Sequence, residues 1–218
     1  MTRLMVVIAC LAMLVGLWPA ASAVAGPVTY DLNVISSSTI GSGTLATVTL
    51  IQVGSNELDL AVALAPGTAF VSTGGHNAFA FNLDLTTPYV VTITNPRGGS
   101  FTPVATSRSH SPYGTFTYAI NCPGCGPGSS HANPGPLAFK VTDASGIAVS
   151  DFIANDNGFF FSADVLGPGG HTGNIAADAA TPTLASATEA SAVPEPASLP
   201  LLAGSVVALG VLVRRRVR

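Results

Sequence analysis

Residues 57–64 set the reading of the chain. Leu58, Leu60, Val62 and Leu64 alternate with Glu57, Asp59, Ala61 and Ala63, the period-two pattern of a strand with one buried face. The same alternation runs through 27–35, where Val28, Tyr30 and Leu32 oppose Thr29 and Asp31. It returns at 78–85 (Phe79, Phe81, Leu83, Leu85), 115–120 (Phe116, Tyr118, Ile120) and 137–141 (Leu137, Phe139, Val141). Residues 44–53 are β-branched and apolar on both faces, which predicts a central strand, and 89–94 is a compact β-branched run. Shorter strands are predicted at 68–71, 147–152, 159–166 and 174–177. Turn signals separate them: Gly54-Ser55-Asn56, Ala65-Pro66-Gly67, Ser72-Thr73-Gly74-Gly75, Asn95-Pro96-Arg97-Gly98-Gly99, Ala144-Ser145-Gly146 and Asn155-Asp156-Asn157-Gly158, each rich in the residues that make turns cheap. The polar stretch 100–112 is predicted to be an irregular surface loop, and 167–173 a glycine-rich one. No segment from 26 to 192 sustains a helical period. About nine to eleven short strands at even spacing predict an all-β fold, a single β-sandwich or jelly roll.

The two ends carry a different pattern. Arg3 is followed by an apolar run over 4–18 and by small residues, with A-x-A sites at Ala21-Ser22-Ala23 and Ala23-Val24-Ala25. This predicts a secretory signal peptide over 1–23, cleaved after Ala23 or Ala25. Val7-Ile8-Ala9-Cys10 has the look of a lipobox, but the apolar run continues well past Cys10, where a lipobox would end it. Residues 197–213 hold no charge, and their length is near the lower end of the ~17–25 residues a membrane helix needs. Pro200 falls in the first turn, where a missing N–H costs little. Arg214, Arg215, Arg216 and Arg218 follow and favour the cytoplasmic side. That orientation sets Pro194-Glu195-Pro196 at the outer face, held extended by its two prolines. The chain therefore divides into a domain over 26–180, a small, polar, flexible tether over 181–192, and a C-terminal unit over 193–218 containing a transmembrane helix.

Val193-Pro194-Glu195-Pro196, the short span and the arginine cluster together resemble the PEP-CTERM sorting signal of Gram-negative bacteria. The match covers 193–218, about an eighth of the chain. The resemblance implies recognition by exosortase, a membrane-embedded, cysteine transpeptidase-like enzyme, and removal of the tail as the protein reaches the cell surface or the extracellular polysaccharide. The competing reading is an ordinary C-terminal membrane anchor behind a proline-rich linker. Residues 114–120, 122–126, 136–139, 161–164 and 170–173 are similar to a recurring ectodomain of PEP-CTERM proteins. That second resemblance implies the same compartment and supplies no chemistry.

Charge narrows the partners. Of eight basic residues, five lie in the terminal signals, leaving Arg97, Arg108 and Lys140 against ten acidic residues over 24–192, a net charge of −7. No basic patch exists for nucleic acid, and polyanions are disfavoured for the same reason. Neutral glycans and cations fit better.

Candidate chemistry is sparse. Cys122-Pro123-Gly124-Cys125 holds both cysteines that remain once the leader is gone. An exported compartment predicts a disulfide between them. A redox role would need a helix start and a βαβ context. A metal site would need two further ligands, and His110 and His131 stand at no zinc spacing. Asp151, Asn155, Asp156 and Asn157 offer oxygen ligands in one stretch, as calcium loops do, but Asn and Asp also simply favour turns. His76 and His171 lie beside glycines in predicted loops. No G-x-S-x-G elbow is present, and no cofactor is expected. The expectation is a non-enzymatic, exported surface or matrix protein, structural or adhesive in the exopolysaccharide or biofilm. Its expected partners are exosortase, the membrane before processing, and exopolysaccharide. The alternative is a carbohydrate-binding module in which Tyr89 or Tyr113 stacks on sugar. A hydrolase ranks third, and would show close carboxylates or a histidine–acid pair with shifted pKa values in a cleft.

Overall fold

The computed structural model describes residues 26–84, 89–94, 101–104, 106–178 and 182–184. The expected leader, most of the tether and the whole of 193–218 lie outside them. Among the described residues no helix is long and apolar enough to cross a membrane.

The described chain is all-β, with fifteen strands numbered β1 to β15 in chain order. One sheet contains β1 (Val28–Leu32), β3 (Ala46–Gly54), β4 (Glu57–Leu64), β7 (Tyr89–Ile93), β12 (Leu137–Asp143) and β15 (Pro182–Leu184). Its strand order is β15-β1-β3-β4-β12-β7. The second contains β2 (Val34–Ile35), β6 (Phe79–Phe81), β8 (Thr102–Val104), β11 (Tyr118–Asn121), β13 (Phe159–Leu166) and β14 (Thr172–Asp178). Its order is β2-β14-β13-β6-β11-β8, with β5 (Ala69–Phe70) paired to the far end of β13. A separate hairpin joins β9 (Arg108–Ser109) to β10 (Thr115–Phe116).

The two sheets share one core. Leu58, Leu60 and Val62 of β4 are buried, as the alternation requires. Phe139 of β12 stands beside them in the same sheet, and Phe79 and Phe81 of β6 with Phe161 of β13 fill the space from the second sheet. Phe79 lies 6.0 Å from Phe139 and 5.8 Å from Phe161 by ring centroids, and Tyr30 of β1 lies 5.0 Å from Phe161. Large rings in stacked, tilted and edge contacts contribute much of the burial that drives folding.

The outer faces differ. On the first sheet Ile51, Val53 and Val90 are exposed, and Lys140 pairs with Glu57 at 2.7 Å across β12 and β4. On the second sheet the outer face is covered. The β9–β10 hairpin lays Tyr113 and Phe116 against Ala80, Ala119 and Ala176. All of Phe79, Ala80 and Phe81 are therefore buried.

Several expected elements change. The strand expected over 27–35 is two strands in different sheets, since β1 pairs with β3 and β2 with β14. The loop expected over 100–112 contains β8 and β9. Pro103 is tolerated in β8 because that strand is a sheet edge. The strand expected over 115–120 breaks at Thr117, whose backbone N–H donates to Asn82 Oδ1 at 2.6 Å. Residues 147–152 form no strand. Val149–Asp151 is a single 3₁₀ turn, and Phe152 makes only an isolated bridge to Leu83. The domain also runs past 180. Pro182–Leu184, assigned to the tether from sequence, pairs with β1 as the sheet edge, where a strand-opening proline removes no needed donor.

Candidate functional site

A cluster of buried polar side chains lies on the covered face of the second sheet. Phe161, Ala163 and Val165 of β13 face the core, so Ser162 and Asp164 face the other way, beneath the hairpin. Asn174 of β14 stands directly opposite Asp164. Ser162, Asp164 and Asn174 are all buried, and buried polar groups persist only when hydrogen bonds replace water.

Asp164 clasps the 71–78 loop. Its carboxylate accepts from the Thr73 hydroxyl at 2.8 and 3.0 Å and from the Thr73 backbone N–H. Its backbone N–H donates to Ala78 O, and its carbonyl accepts from Val71 N–H. Burial raises the Asp164 pKa, while the Thr73 bonds and a nearby His76 pull against that rise.

Asn174 ties that loop to the hairpin. Its Nδ2 donates to His76 Nδ1 at 2.6 Å and to Ser111 O at 2.7 Å. The His76 ring stacks on His110, with centroids 5.6 Å apart and planes 19° from parallel. His110 is wholly buried, and its ring forms a T-shaped pair with Phe116, centroids 5.8 Å apart. Its Nδ1 meets Ser162 Oγ at 3.2 Å, and Ser162 Oγ itself donates to Ile175 O at 3.0 Å. With the serine proton committed to that carbonyl, the pattern assigns the proton to His110 Nδ1, which donates to Oγ. Nε2 then carries a bare lone pair, and it has no partner among the described residues. Burial, helped by His76, lowers the His110 pKa to about 3, so the ring is neutral at neutral pH.

Serine, histidine and aspartate together suggest hydrolysis, but the proton order runs the wrong way. An activated serine donates to its base, whereas Ser162 donates to Ile175 O and receives from His110. Asp164 bonds Thr73 rather than an imidazole. As arranged, the cluster fastens the 71–78 loop and the hairpin to β13 and β14.

The residues singled out from sequence are dispersed. Cys122 and Cys125 lie at disulfide distance, with Cα atoms 5.2 Å apart, and both join the main core. They line a groove of ≈ 350 Å³ with Ser130, His131 and Asn133. His131 bonds its neighbour Ser130 Oγ at 2.9 Å, while His110 belongs to the Ser162 cluster. The oxygen-rich stretch builds turns. Asp151 accepts from Ala148 N–H, and Asn155 Oδ1 accepts from the N–H groups of Asn157 and Phe159. Asn155 Nδ2 reaches Tyr113 O at 2.8 Å. Among the described residues no three His, Cys, Asp or Glu side chains gather as metal ligands. Tyr113, expected as an exposed sugar platform, is buried, and its hydroxyl donates to Val34 O. Tyr89 is half-buried against Tyr118. His171 is exposed. Val193, Pro194, Glu195, Pro196 and the four tail arginines lie outside the described residues.

The sequence reading missed Thr73, Ser162, Asp164 and Asn174. Their one visible signal was Ser162-Ala163-Asp164 inside an otherwise apolar strand, polar at alternate positions where both faces are buried.

A scan against protein-family models finds no match to the chain, and no curated protein or solved structure emerges as a relative.

Proposed function

We propose that this is a non-enzymatic, exported surface or matrix protein, sorted by exosortase through a PEP-CTERM signal. It acts as a structural or adhesive component of the exopolysaccharide or biofilm. The ectodomain is a β-sandwich of jelly-roll-like form, and the membrane holds the chain until the tail is processed. The observation that carries the reading is the ordered tail: Val193-Pro194-Glu195-Pro196, an uncharged run over 197–213, then Arg214, Arg215, Arg216 and Arg218. The apolar leader with its A-x-A sites supports export. The close pairing of Cys122 with Cys125 suits an oxidising compartment. Two antiparallel sheets around a common aromatic core support the sandwich description.

Intact mass of the protein recovered from exosortase-positive and exosortase-negative cells tests this. The positive strain is expected to yield a species starting after Ala23 or Ala25 and ending near Pro194 to Pro196. Reduction is expected to add the mass of two hydrogens. A product that keeps 197–218 in both strains would make the tail a plain anchor and end the sorting proposal.

A further inference from the structure

The hairpin that covers the second sheet is fastened partly through an ionisable pair. Its stretch 106–117 places His110, Tyr113 and Phe116 inward and leaves Arg108, Ser111 and Thr115 exposed. Beneath it lies an apolar patch of Ala80, Ala119 and Ala176 with Val34 and Phe159 at the margin, bordered by the buried polar side chains Ser162 and Asn174 that bond the hairpin.

We propose that 106–117 is an acid-released latch: protonation of His110, buried and stacked on His76, frees the hairpin and uncovers the apolar outer face of β6, β11 and β14. In the closed state His110 already donates through Nδ1 to Ser162. A second proton must go to Nε2, which is buried and has no acceptor among the described residues. Phe116, with its ring centroid 5.8 Å from that of His110, is an apolar neighbour that offers no acceptor.

The charged and titratable groups around the pair do not rescue it. From the 71–78 loop, His76 adds repulsion when it is itself charged. From β13, the Asp164 carboxylate bonds Thr73 and acts on His76, while His110 meets only the neutral Ser162 from that strand. From β14, Asn174 is neutral, and His171, in the loop before that strand, is exposed. On the hairpin itself Arg108 is exposed, and the Tyr113 hydroxyl donates to Val34 O. When the hairpin opens, water solvates the imidazolium and the obstacle disappears.

The sign follows from linkage. His110 in the closed state has a pKa of about 3, against 6.5 for an ordinary imidazole. Closure is therefore complete above 6.5 and weakens as pH falls toward 3. Between those limits the open state binds one more proton, so the open-to-closed ratio rises about tenfold per pH unit. The bonds of Tyr113 to Val34 and of Asn155 to Tyr113 do not titrate, and they set the pH at which opening becomes populated.

Hydrogen exchange of the full chain by mass spectrometry, from about pH 7 to about pH 4 and corrected for intrinsic rates, tests the latch. Peptides spanning 106–117 are expected to lose protection about tenfold per pH unit below 6, while peptides from β3 and β4 keep theirs. His110→Phe, which fills the site with an uncharged ring, is expected to remove that slope. His76→Gln is expected to keep it, since His110 still titrates. An unchanged hairpin down to about pH 4 would overturn the proposal, as would a slope that survives in His110→Phe. Simultaneous loss of protection in β3 and β4 would also overturn it, because acid would then unfold the whole domain. Should His110→Phe not fold, the wild-type contrast between hairpin and β3–β4 peptides decides alone.

Discussion

Phe81 of β6 stacks on Phe139 of β12 across the two sheets, with ring centroids 5.6 Å apart and planes 21° from parallel. Phe81 also contacts Tyr118 at 5.2 Å and Phe152 at 5.6 Å, so it joins four segments distant in sequence. Truncating either stacked ring leaves a cavity that rigid sheets cannot close. Phe139→Ala is expected to cost about 3–5 kcal/mol. Val90→Ala, on the exposed outer face of the first sheet, should shift stability by no more than about 0.5 kcal/mol. Urea midpoints of the two variants against wild type check this. Equal small losses would mean that the aromatic layer is not the common core.

Two glycines in one loop separate steric from conformational cost. A Cβ on Gly167 would run into the Ile40 carbonyl oxygen, a backbone atom that cannot swing aside. Gly170 has open space around it but a φ of +76°, where an L side chain costs roughly 1–2 kcal/mol. Gly167→Ala is expected to destabilise more than Gly170→Ala, by at least about 1–3 kcal/mol of overpacking and backbone shift. The comparison of thermal or urea midpoints is direct. The reverse order would show that the 37–41 loop yields easily to the 167–173 loop.

What the sequence made legible follows from where water sits. Glu57–Leu64 is a strand with the bounds its alternation gave, because one face is buried and the other is not. The break at Thr117 was hidden, since it depends on Asn82, thirty-five residues away. The first arm of the hairpin, within 100–112, looked like a loop because polar residues outnumber the inward His110 there, while Phe116 of the second arm fell in an expected strand. The buried cluster was harder still. Thr73 bonds Asp164 across ninety-one positions and His76 bonds Asn174 across ninety-eight. Periodicity reports which face of a strand is buried and is silent on which loop folds over it.

Asp164 gives the sharpest electrostatic prediction. Its folded-state pKa is raised, with burial the largest cause. A raised folded pKa means that the native state holds the proton more tightly than the unfolded chain. Its stabilising contribution is therefore complete below the ordinary value of 3.8 and is lost as pH rises through the folded pKa. Near neutral pH the buried charge weakens the fold, even with Thr73 bonded to it. Asp164→Asn removes the charge and keeps an oxygen for Thr73. It also places an amide N–H on the residue opposite Asn174, whose Oδ1 is buried and has no partner among the described residues. Asp164→Asn is expected to raise stability near neutral pH by about 1 kcal/mol, with the gain shrinking in acid. Asp164→Ala should instead lose about 1–3 kcal/mol, because the half-buried Thr73 hydroxyl and N–H both lose their acceptor. Urea midpoints at about pH 7 and about pH 4 separate the cases. If Asp164→Asn is the less stable protein at neutral pH, the carboxylate's charge is holding the 71–78 loop in place, and burial is the smaller influence on it.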